Sequence, residues 1–501
     1  MPISQGSNWF YDAADDAFSI DYSCAFDRGS TEYMQKDCAA TVTAERRTFT
    51  ISVWVKRLEI GSLAAVAAHY IFEAGETDHT TTGRTVLQIR DDFIRFMSGT
   101  TYWFTTESLY RDNSAWMHIV LAVDTTDGTA GDRHKLYVNG VRVTEFDSGN
   151  TTNPDQNHTH AFSLDEKHTI GGSHIDSYYN TDLKMAEFHA VGGAALAPTA
   201  FGEFDSDSGI WKPIEYTGTS GTGSTGWGTN GWYLDFSDSG NMGDDKKTGG
   251  TVLDFTENNI DVKNQTKDSP MNSYCVLDQD AKQNYDTATQ TIDRYNTRLF
   301  NGTDSWSTTL ATHAFSSGKW YWEVESGNIT YWASGIISVD KTHLLYENTY
   351  AEAVAYRGWD GGAYARDGNP DVSTNLGAPS STNKVFRFFV DMDNNKFTVI
   401  TMSGTTVIDE QNVGGCAEND RLSVPFIRTY GINTGNNTHG VNINFGGGTL
   451  WAADSAVGGY YNTGQSAFTD ANGYGEFEYP CQNINSKNYY AICTNNIAEF
   501  S

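Results

Sequence analysis

The stretch HKLYVNGVRVTEF, His134 to Phe146, constrains the fold more than any other part of the chain. Asn139-Gly140 stands between Leu136-Tyr137-Val138 and Val141-Arg142-Val143. That pair tolerates the positive φ angles of a two-residue type I′ turn, so the segment predicts a tight antiparallel hairpin. The same pattern recurs elsewhere. In RTFTISVWVKR, Phe49, Ile51, Val53 and Val55 alternate with Thr48, Thr50, Ser52 and Trp54, the period of a strand with one buried face. TVLQIRDDFIRFMSG turns at Asp91-Asp92, and FRFFVDMDNNKFTVIT turns at Asp393-Asn394-Asn395. AWMHIVLAVDTT (Ala115–Thr126) is apolar on both faces, as a central strand of a two-layer structure is.

Helical periodicity is hard to find anywhere. Aromatics at 13%, 49 glycines and only 9 prolines suit short strands joined by tight turns. The expectation is an all-β protein. Its 501 residues are enough for two or more domains. The Gly/Thr/Ser tract within Glu215–Gly231 is too poor in apolar residues to form a core. We therefore expect an arm at 1–20, a strand-rich domain at 21–210, a connector with an Asp-rich loop at 211–270 and a second strand-rich domain at 271–501.

The 33 Lys+Arg against 63 Asp+Glu give a net charge of −30, which disfavours binding to phosphate backbones and anionic membranes. No run of about 18 apolar residues is present to span a bilayer. MPISQGSNWFYDAADD lacks the basic start and apolar core of a signal peptide, so synthesis in a cytoplasm without general secretory export is expected. The six cysteines show no CxxC or zinc-ligand spacing; Cys24 with Cys38, and Cys481 with Cys493, are near enough in sequence for bridges.

Several stretches raise chemical questions. In SSGKWYWEVESGN, Trp320, Trp322 and Val324 share one strand face and read as interior, which leaves Tyr321, Glu323 and Glu325 on the other face as contacts. Glu323 and Glu325 are the best carboxylate pair for glycoside hydrolysis, but two glutamates on a solvent face are the commoner explanation. No Gly-x-Ser-x-Gly, HExxH or P-loop occurs, and the expectation is a non-enzyme. DFSDSGNMGDD offers Asp235, Asp238, Asn241, Asp244 and Asp245 as oxygen ligands for Ca²⁺, with FDSDSG (Phe204–Gly209) as a second such loop. His158 and His160 in NHTH read as an exposed loop, or as transition-metal ligands around a three-fold axis in a trimer.

The order of pieces in the first half, SVWVKR, IFEAG, LYRDNSAWMHIVLAVDTTDGTAGDRHKLYVNGVRV, TIGGS and MAEFHAVGG, resembles concanavalin A-like (laminin-G/pentraxin-type) jelly-roll domains over about 21–210. Trp116, His118 and Leu136–Gly140 carry that likeness. SGKWYWEVE, AYARDGN, FRFFVDMDNNKFTV and VNINFGG follow one another as in SPRY-type β-sandwiches. The tandem, with its NGYGEFEYP and YYAICTNNI tail, is similar to tail-fibre, appendage or head-decoration proteins of tailed phages.

The resemblance implies two antiparallel jelly-roll β-sandwiches in tandem, in a non-enzymatic virion protein that presents lectin-like domains to host-surface glycans. Its implied alternatives are a capsid decoration or cement protein and a polysaccharide depolymerase. Glycan contacts are expected from aromatic and acidic loop residues: Asp176, Tyr178 and Tyr179 in GSHIDSYYN, and Trp359, Asp360 and Tyr364 in YRGWDGGAYARDGN. Trp9, Phe10 and Tyr11 are expected to anchor the arm in the virion. Expected partners are other virion proteins, host polysaccharide and further copies of the chain, without nucleic acid or membrane insertion. No coiled-coil or collagen-like stretch is visible to drive a trimer, which would be built from sandwich surfaces.

Overall fold

The computed structural model describes residues 18–61, 68–75, 83–176, 179–218, 226–248, 252–284, 290–293, 295–301, 306–325, 331–340, 342, 353–358, 363–364, 385–403, 406–414, 422–430, 440–447, 468–482, 484 and 486–500. Two units divide between Met271 and Asn272. The expected anchor residues Trp9, Phe10 and Tyr11 lie outside the described residues.

The first unit's strands, in chain order, are β1 (Ser23–Phe26), β2 (Tyr33–Asp37), β3 (Thr48–Arg57), β4 (His69–Ala74), β5 (Thr85–Arg90), β6 (Phe93–Ser98), β7 (Thr101–Thr105), β8 (Trp116–Asp124) and β9 (His134–Val138). There follow β10 (Val141–Arg142), β11 (Lys167–Ile170), β12 (Leu183–Gly192), β13 (Gly202–Phe204), β14 (Trp211–Pro213), β15 (Trp232–Leu234), β16 (Thr256–Asn258) and β17 (Gln265–Thr266). They form an eight-stranded sheet, β10-β9-β8-β3-β12-β1-β17 with β15 also on β12, and a seven-stranded sheet, β16-β2-β11-β4-β5-β6-β7. Phe49, Ile51, Val53 and Val55 of β3 meet Phe72, Leu87, Ile89 and Phe96 of the other sheet in one core.

The predicted hairpins are present. Val138 pairs with Val141, with Asn139 at φ 47° and Gly140 at φ 77°. Arg90 pairs with Phe93, with Asp91 and Asp92 at φ 51° and 67°. Gly140 serves a second purpose, because a Cβ there would lie 2.3 Å from the Trp211 ring.

Two expectations are corrected. Residues 226–270, expected within a connector, supply β15, β16 and β17, and Trp232, Leu234, Phe236, Met242 and Phe255 enter the first core. The WYLDF alternation is short, but it fills space between the sheets that the preceding strands leave open. β3 is also buried on both faces rather than one. Trp54 stacks on His118 (centroids 4.7 Å, planes 16° apart), and Trp211 donates to His118 Nδ1 at 2.9 Å. Further along the outer face, Phe201, Tyr216 and Trp227 pack on Val120 and Val191.

A row of charge crosses that outer face. Lys184, Lys56 and Trp116 are cross-strand neighbours on β12, β3 and β8. All three donate to the buried carboxylate of Asp268, just beyond β17. Burial alone would raise the Asp268 carboxyl, but Lys184 and Lys56 outweigh it and hold the group well below the usual carboxylate range.

The second unit is also a pair of antiparallel sheets. Its strands are β18 (Gln283–Asn284), β19 (Gln290–Asp293), β20 (Arg298–Asn301), β21 (Trp306–Leu310), β22 (Lys319–Glu325), β23 (Trp332–Ser338) and β24 (Ala353–Arg357). After them come β25 (Ala363–Tyr364), β26 (Val385–Asp391), β27 (Lys396–Ser403), β28 (Thr406–Gly414), β29 (Ser423–Tyr430), β30 (Val441–Asn444) and the short helix α1 (Thr494–Phe500). One sheet runs β18-β21-β29-β23-β24-β25 and the other β19-β20-β30-β22-β26-β27-β28. Asn395 at φ 52° closes the β26–β27 hairpin at the predicted turn.

Trp320, Trp322 and Val324 lie in the second core, with Trp322 stacked on Phe388 (5.2 Å, 4°). Their strand's other face is not a contact surface. Tyr321 and Glu323 are fully buried beneath Phe477, Cys481, Tyr489 and Ala491. Five cysteines are free and buried, so neither the Cys24–Cys38 nor the Cys481–Cys493 bridge forms; Cys416 lies outside the described residues. Both units are thus antiparallel β-sandwiches, with one short helix among the described residues.

Candidate functional site

The segment joining β11 to β12 crosses one end of the first sandwich. It folds back on itself: Thr181 N–H donates to the Gly171 carbonyl at 3.3 Å, and Tyr179 N–H to that of Asp176 at 3.1 Å. Gly171, at φ 74°, lies so close to Phe26 that a Cβ would approach its ring to 2.2 Å. Ile175 N–H donates to Ser173 Oγ at 3.2 Å. These bonds fix where Asp176 and Tyr179, both half-buried, sit.

Tyr179 lies flat on Tyr70 of β4, with ring centroids 4.6 Å apart and planes 21° apart. Tyr70, Val86 and Met97 form a small apolar cluster on the seven-stranded sheet's face away from the core, and Tyr179 packs against it. The Arg84 guanidinium lies 5.1 Å from the Tyr70 ring centre and 5.6 Å from that of Tyr179, and bonds the Tyr70 hydroxyl. Arg84 Nε is also 3.0 Å from Glu73 Oε1. His174 Nδ1 stands 3.0 Å from Thr169 Oγ1 and 3.9 Å from Glu73 Oε2. Burial pushes the Glu73 carboxyl up to about 7, against the opposing pull of Arg84. The result is an aromatic shelf flanked by a guanidinium, a carboxyl group and an imidazole.

Of the expected glycan residues, Tyr179 and Asp176 belong to this arrangement. Tyr178, Trp359 and Asp360 lie outside the described residues, and of Tyr364 only the backbone is described, paired with Ala355 in β24. Tyr70, Glu73 and Arg84 were not anticipated. Their signal was present in HYIFEA and RTVLQIR, where polar or aromatic residues occupy positions that point away from the apolar core.

The Asp-rich loop does not gather its side chains around a common point. Asp235 accepts from Ser237 N–H at 2.9 Å and Asp238 from Gly240 N–H at 2.9 Å, each closing its own turn. Asp244 pairs with Lys246, and Asp245 accepts from Tyr233 N–H at 3.0 Å. The backbone N–H of Asn241 bonds the Asp238 carbonyl. Asp205 of the second acidic loop accepts from the N–H groups of Asp207 and Ser208 at 3.1 and 2.8 Å. Among the described residues, the His, Cys, Asp and Glu side chains that converge closely enough to share a cation are Glu59, His69 and Asp182.

His158 and His160 do not form an exposed loop pair. His160 is fully buried and its Nε2 is 3.0 Å from His134 Nε2, while Trp103 packs edge-on against all three imidazoles. In the second unit, Glu323 accepts from the Tyr321 hydroxyl at 2.8 Å and from the N–H groups of Tyr479 and Glu478 at 2.8 and 3.1 Å. Glu325 accepts from Asn442 at 2.8 Å. Both carboxylates are occupied by structural hydrogen bonds.

The first unit is an antiparallel β-sandwich similar to concanavalin A-like, laminin-G-type domains. Residues 28–191 match the family described as the concanavalin A-like lectin/glucanases superfamily. No curated protein matches the chain significantly. Similar solved structures include the SPRY domain of human HERC1, at 15% identity over 33% of this chain and 96% of that one, with a TM-score of 0.27. The heptameric SAP-like pentraxin of Limulus polyphemus matches at 14% identity over 36% of this chain and 80% of that one, TM-score 0.26. The TRIM65 PSpry domain matches at 12% identity over 32% and 92%, TM-score 0.25.

Proposed function

We propose that the chain is a non-enzymatic glycan-binding protein, and that it works as a tail-fibre or appendage component of a phage virion. The observation that carries the binding role is the half-buried Tyr179 ring on Tyr70, edged by Arg84, Glu73, His174 and Asp176. Aromatic faces take the C–H side of a pyranose while the half-buried Asp176 and His174 take its hydroxyls; Arg84 and Glu73, both fully buried, hold the shelf from beneath. The concanavalin A-like domain supports the same reading, since lectins are among the proteins of that superfamily. The non-enzymatic part is supported by Glu323 and Glu325, the best carboxylate pair in the sequence, being tied up by hydrogen bonds to the C-terminal segment and to Asn442 of β30. The virion setting, with virion proteins and host polysaccharide as partners, rests on the order of sequence motifs alone.

Binding of the purified chain to a panel of bacterial surface polysaccharides tests the first part. Retention on at least one polysaccharide is expected, reduced at least about tenfold by Tyr179→Ala. Equal retention of the two proteins, or none by the unaltered chain, would remove this site from the reading. Release of reducing sugar from a bound polysaccharide would overturn the non-enzymatic part. Mass spectrometry of purified virions, finding the chain or failing to, decides the setting.

A further inference from the structure

Three side chains from distant parts of the sequence meet at one end of the first sandwich. Glu59 lies in the turn after β3, His69 opens β4, and Asp182 immediately precedes β12. One ligand atom of each lies within 4.8 Å of the other two. Their backbones are fixed. Arg57 Nε and Nη2 donate to the Glu59 carbonyl at 3.1 and 2.6 Å, and Leu58 N–H to the Asp182 carbonyl at 3.2 Å.

The cation now among them is the chain's own. Arg28 Nη2 is 3.0 Å from His69 Nδ1, Nη1 is 3.7 Å from Glu59 Oε2, and Nε is 3.7 Å from Asp182 Oδ2. Both guanidinium–carboxylate contacts exceed hydrogen-bond length, although Arg28 Nε bonds the Asn180 carbonyl at 3.0 Å and its backbone N–H bonds Asp182 Oδ1 at 3.0 Å; one guanidinium stands against two carboxylates.

The imidazole presents the right atom. His69 is 1% exposed, and its Nδ1 is approached by Arg28, by Asp182 N–H at 3.1 Å and by the Thr181 hydroxyl at 3.2 Å. Facing these donors, Nδ1 carries the lone pair and Nε2 the hydrogen. Nε2 makes no hydrogen bond and looks toward Glu59 Oε2 at 4.0 Å. The Glu59 side chain is 41% exposed, which opens the cluster to solvent.

We propose that Glu59, His69 and Asp182 bind a divalent transition cation of the zinc type, which enters by displacing the Arg28 guanidinium. One imidazole nitrogen and two carboxylate oxygens, with water as a fourth ligand, form a zinc or cobalt donor set. Calcium, which takes oxygen ligands, fits less well. A doubly charged ion neutralises both carboxylates where Arg28 neutralises one. Arg28 therefore competes with the metal and sets its affinity. The proposal is independent of the glycan reading.

Titration of the full chain with Co²⁺ alone, followed by its visible absorption and then by displacement with Zn²⁺, tests it. One Co²⁺ per chain is expected, with affinity raised at least about tenfold by Arg28→Gln and binding abolished by His69→Gln. Because His69 is buried, its variant is paired with Glu59→Gln, in an exposed turn. That variant is expected to weaken Co²⁺ at least about tenfold with an unchanged melting temperature. The proposal is overturned if neither the unaltered chain nor Arg28→Gln binds Co²⁺, if Arg28→Gln leaves the affinity unchanged, or if folded His69→Gln or Glu59→Gln binds as tightly as the unaltered chain.

Discussion

Lys56 and Lys184 face each other across the β3–β12 pair, and their two buried ammonium groups both lie 2.8 Å from Asp268 Oδ2. Like charges directly opposite each other repel, so the pairing depends on the carboxylate between them. Asp268→Ala leaves two uncompensated buried cations, and its expected cost is about 3–5 kcal/mol. Urea unfolding followed by tryptophan fluorescence measures it. A loss below about 1 kcal/mol, the scale of an exposed pair, would contradict this account.

The same carboxylate gives the stability a pH dependence. Its folded value is depressed, so its contribution is complete above the unfolded value near ~3.9 and is lost as pH falls through the folded value. The buried histidines act at higher pH. Burial, with His189 near one and His158 and Arg133 near the other, lowers His118 and His134 to about 3. Between that value and the unfolded ~6.5, the unfolded chain holds more protons than the folded one. The contribution of these histidines to stability is therefore flat above about pH 7 and falls below it, by up to ~1.4 kcal/mol per pH unit for each. In unfolding experiments from pH 8 to 5, His134→Phe is expected to be less stable at pH 8 and to show a shallower slope. An unchanged slope would mean that His134 titrates normally.

Glu323 joins β22 to the C-terminal segment. Glu323→Ala strands the Tyr321 hydroxyl and the N–H groups of Glu478 and Tyr479, at about 1–3 kcal/mol for each buried group left unpaired. Limited proteolysis should then cut faster between residues 468 and 490 than in the unaltered chain. Cleavage at the same rate would show that the segment is held by its apolar contacts alone.

Gly140 has both a positive φ of 77° and the Trp211 ring against its α-carbon. Gly140→Ala should cost more than about 1 kcal/mol, beyond the ordinary effect of losing a glycine at such a turn. Trp211→Ala tests the steric part, since Gly140→Ala should cost less in that background. Equal costs in the two backgrounds would assign the whole effect to the backbone.

Local chemistry made part of this structure legible. Asn139-Gly140, Asp91-Asp92 and Asp393–Asn395 mark their turns because positive φ is a property of one or two residues. Trp320, Trp322 and Val324 mark an interior face because alternation is a property of a single strand. What escaped depends on partners remote in sequence. The fate of Tyr321 and Glu323 is decided by a segment some 150 residues later, and that of Trp232 and Leu234 by β12. The Gly/Thr tract beside Trp232 made the whole stretch read as linker, although its apolar residues were destined for the first core. Of the candidate site, GSHIDSYYN was visible as a polar-aromatic loop, but Tyr70 and Arg84 beneath it were not. Glu59, His69 and Asp182 show no common motif, because only the crossing of three strand ends brings them together.

Ser23 on β1 pairs with Thr266 on β17, and its hydroxyl reaches the Asp268 carbonyl at 2.6 Å. The first sandwich is therefore entered and left on neighbouring strands, spaced about 4.8 Å apart. A unit whose two ends adjoin can be spliced into a surface loop of an unrelated protein without stretching either fold. Such a sandwich is a self-contained cassette whose sheets and aromatic shelf move together.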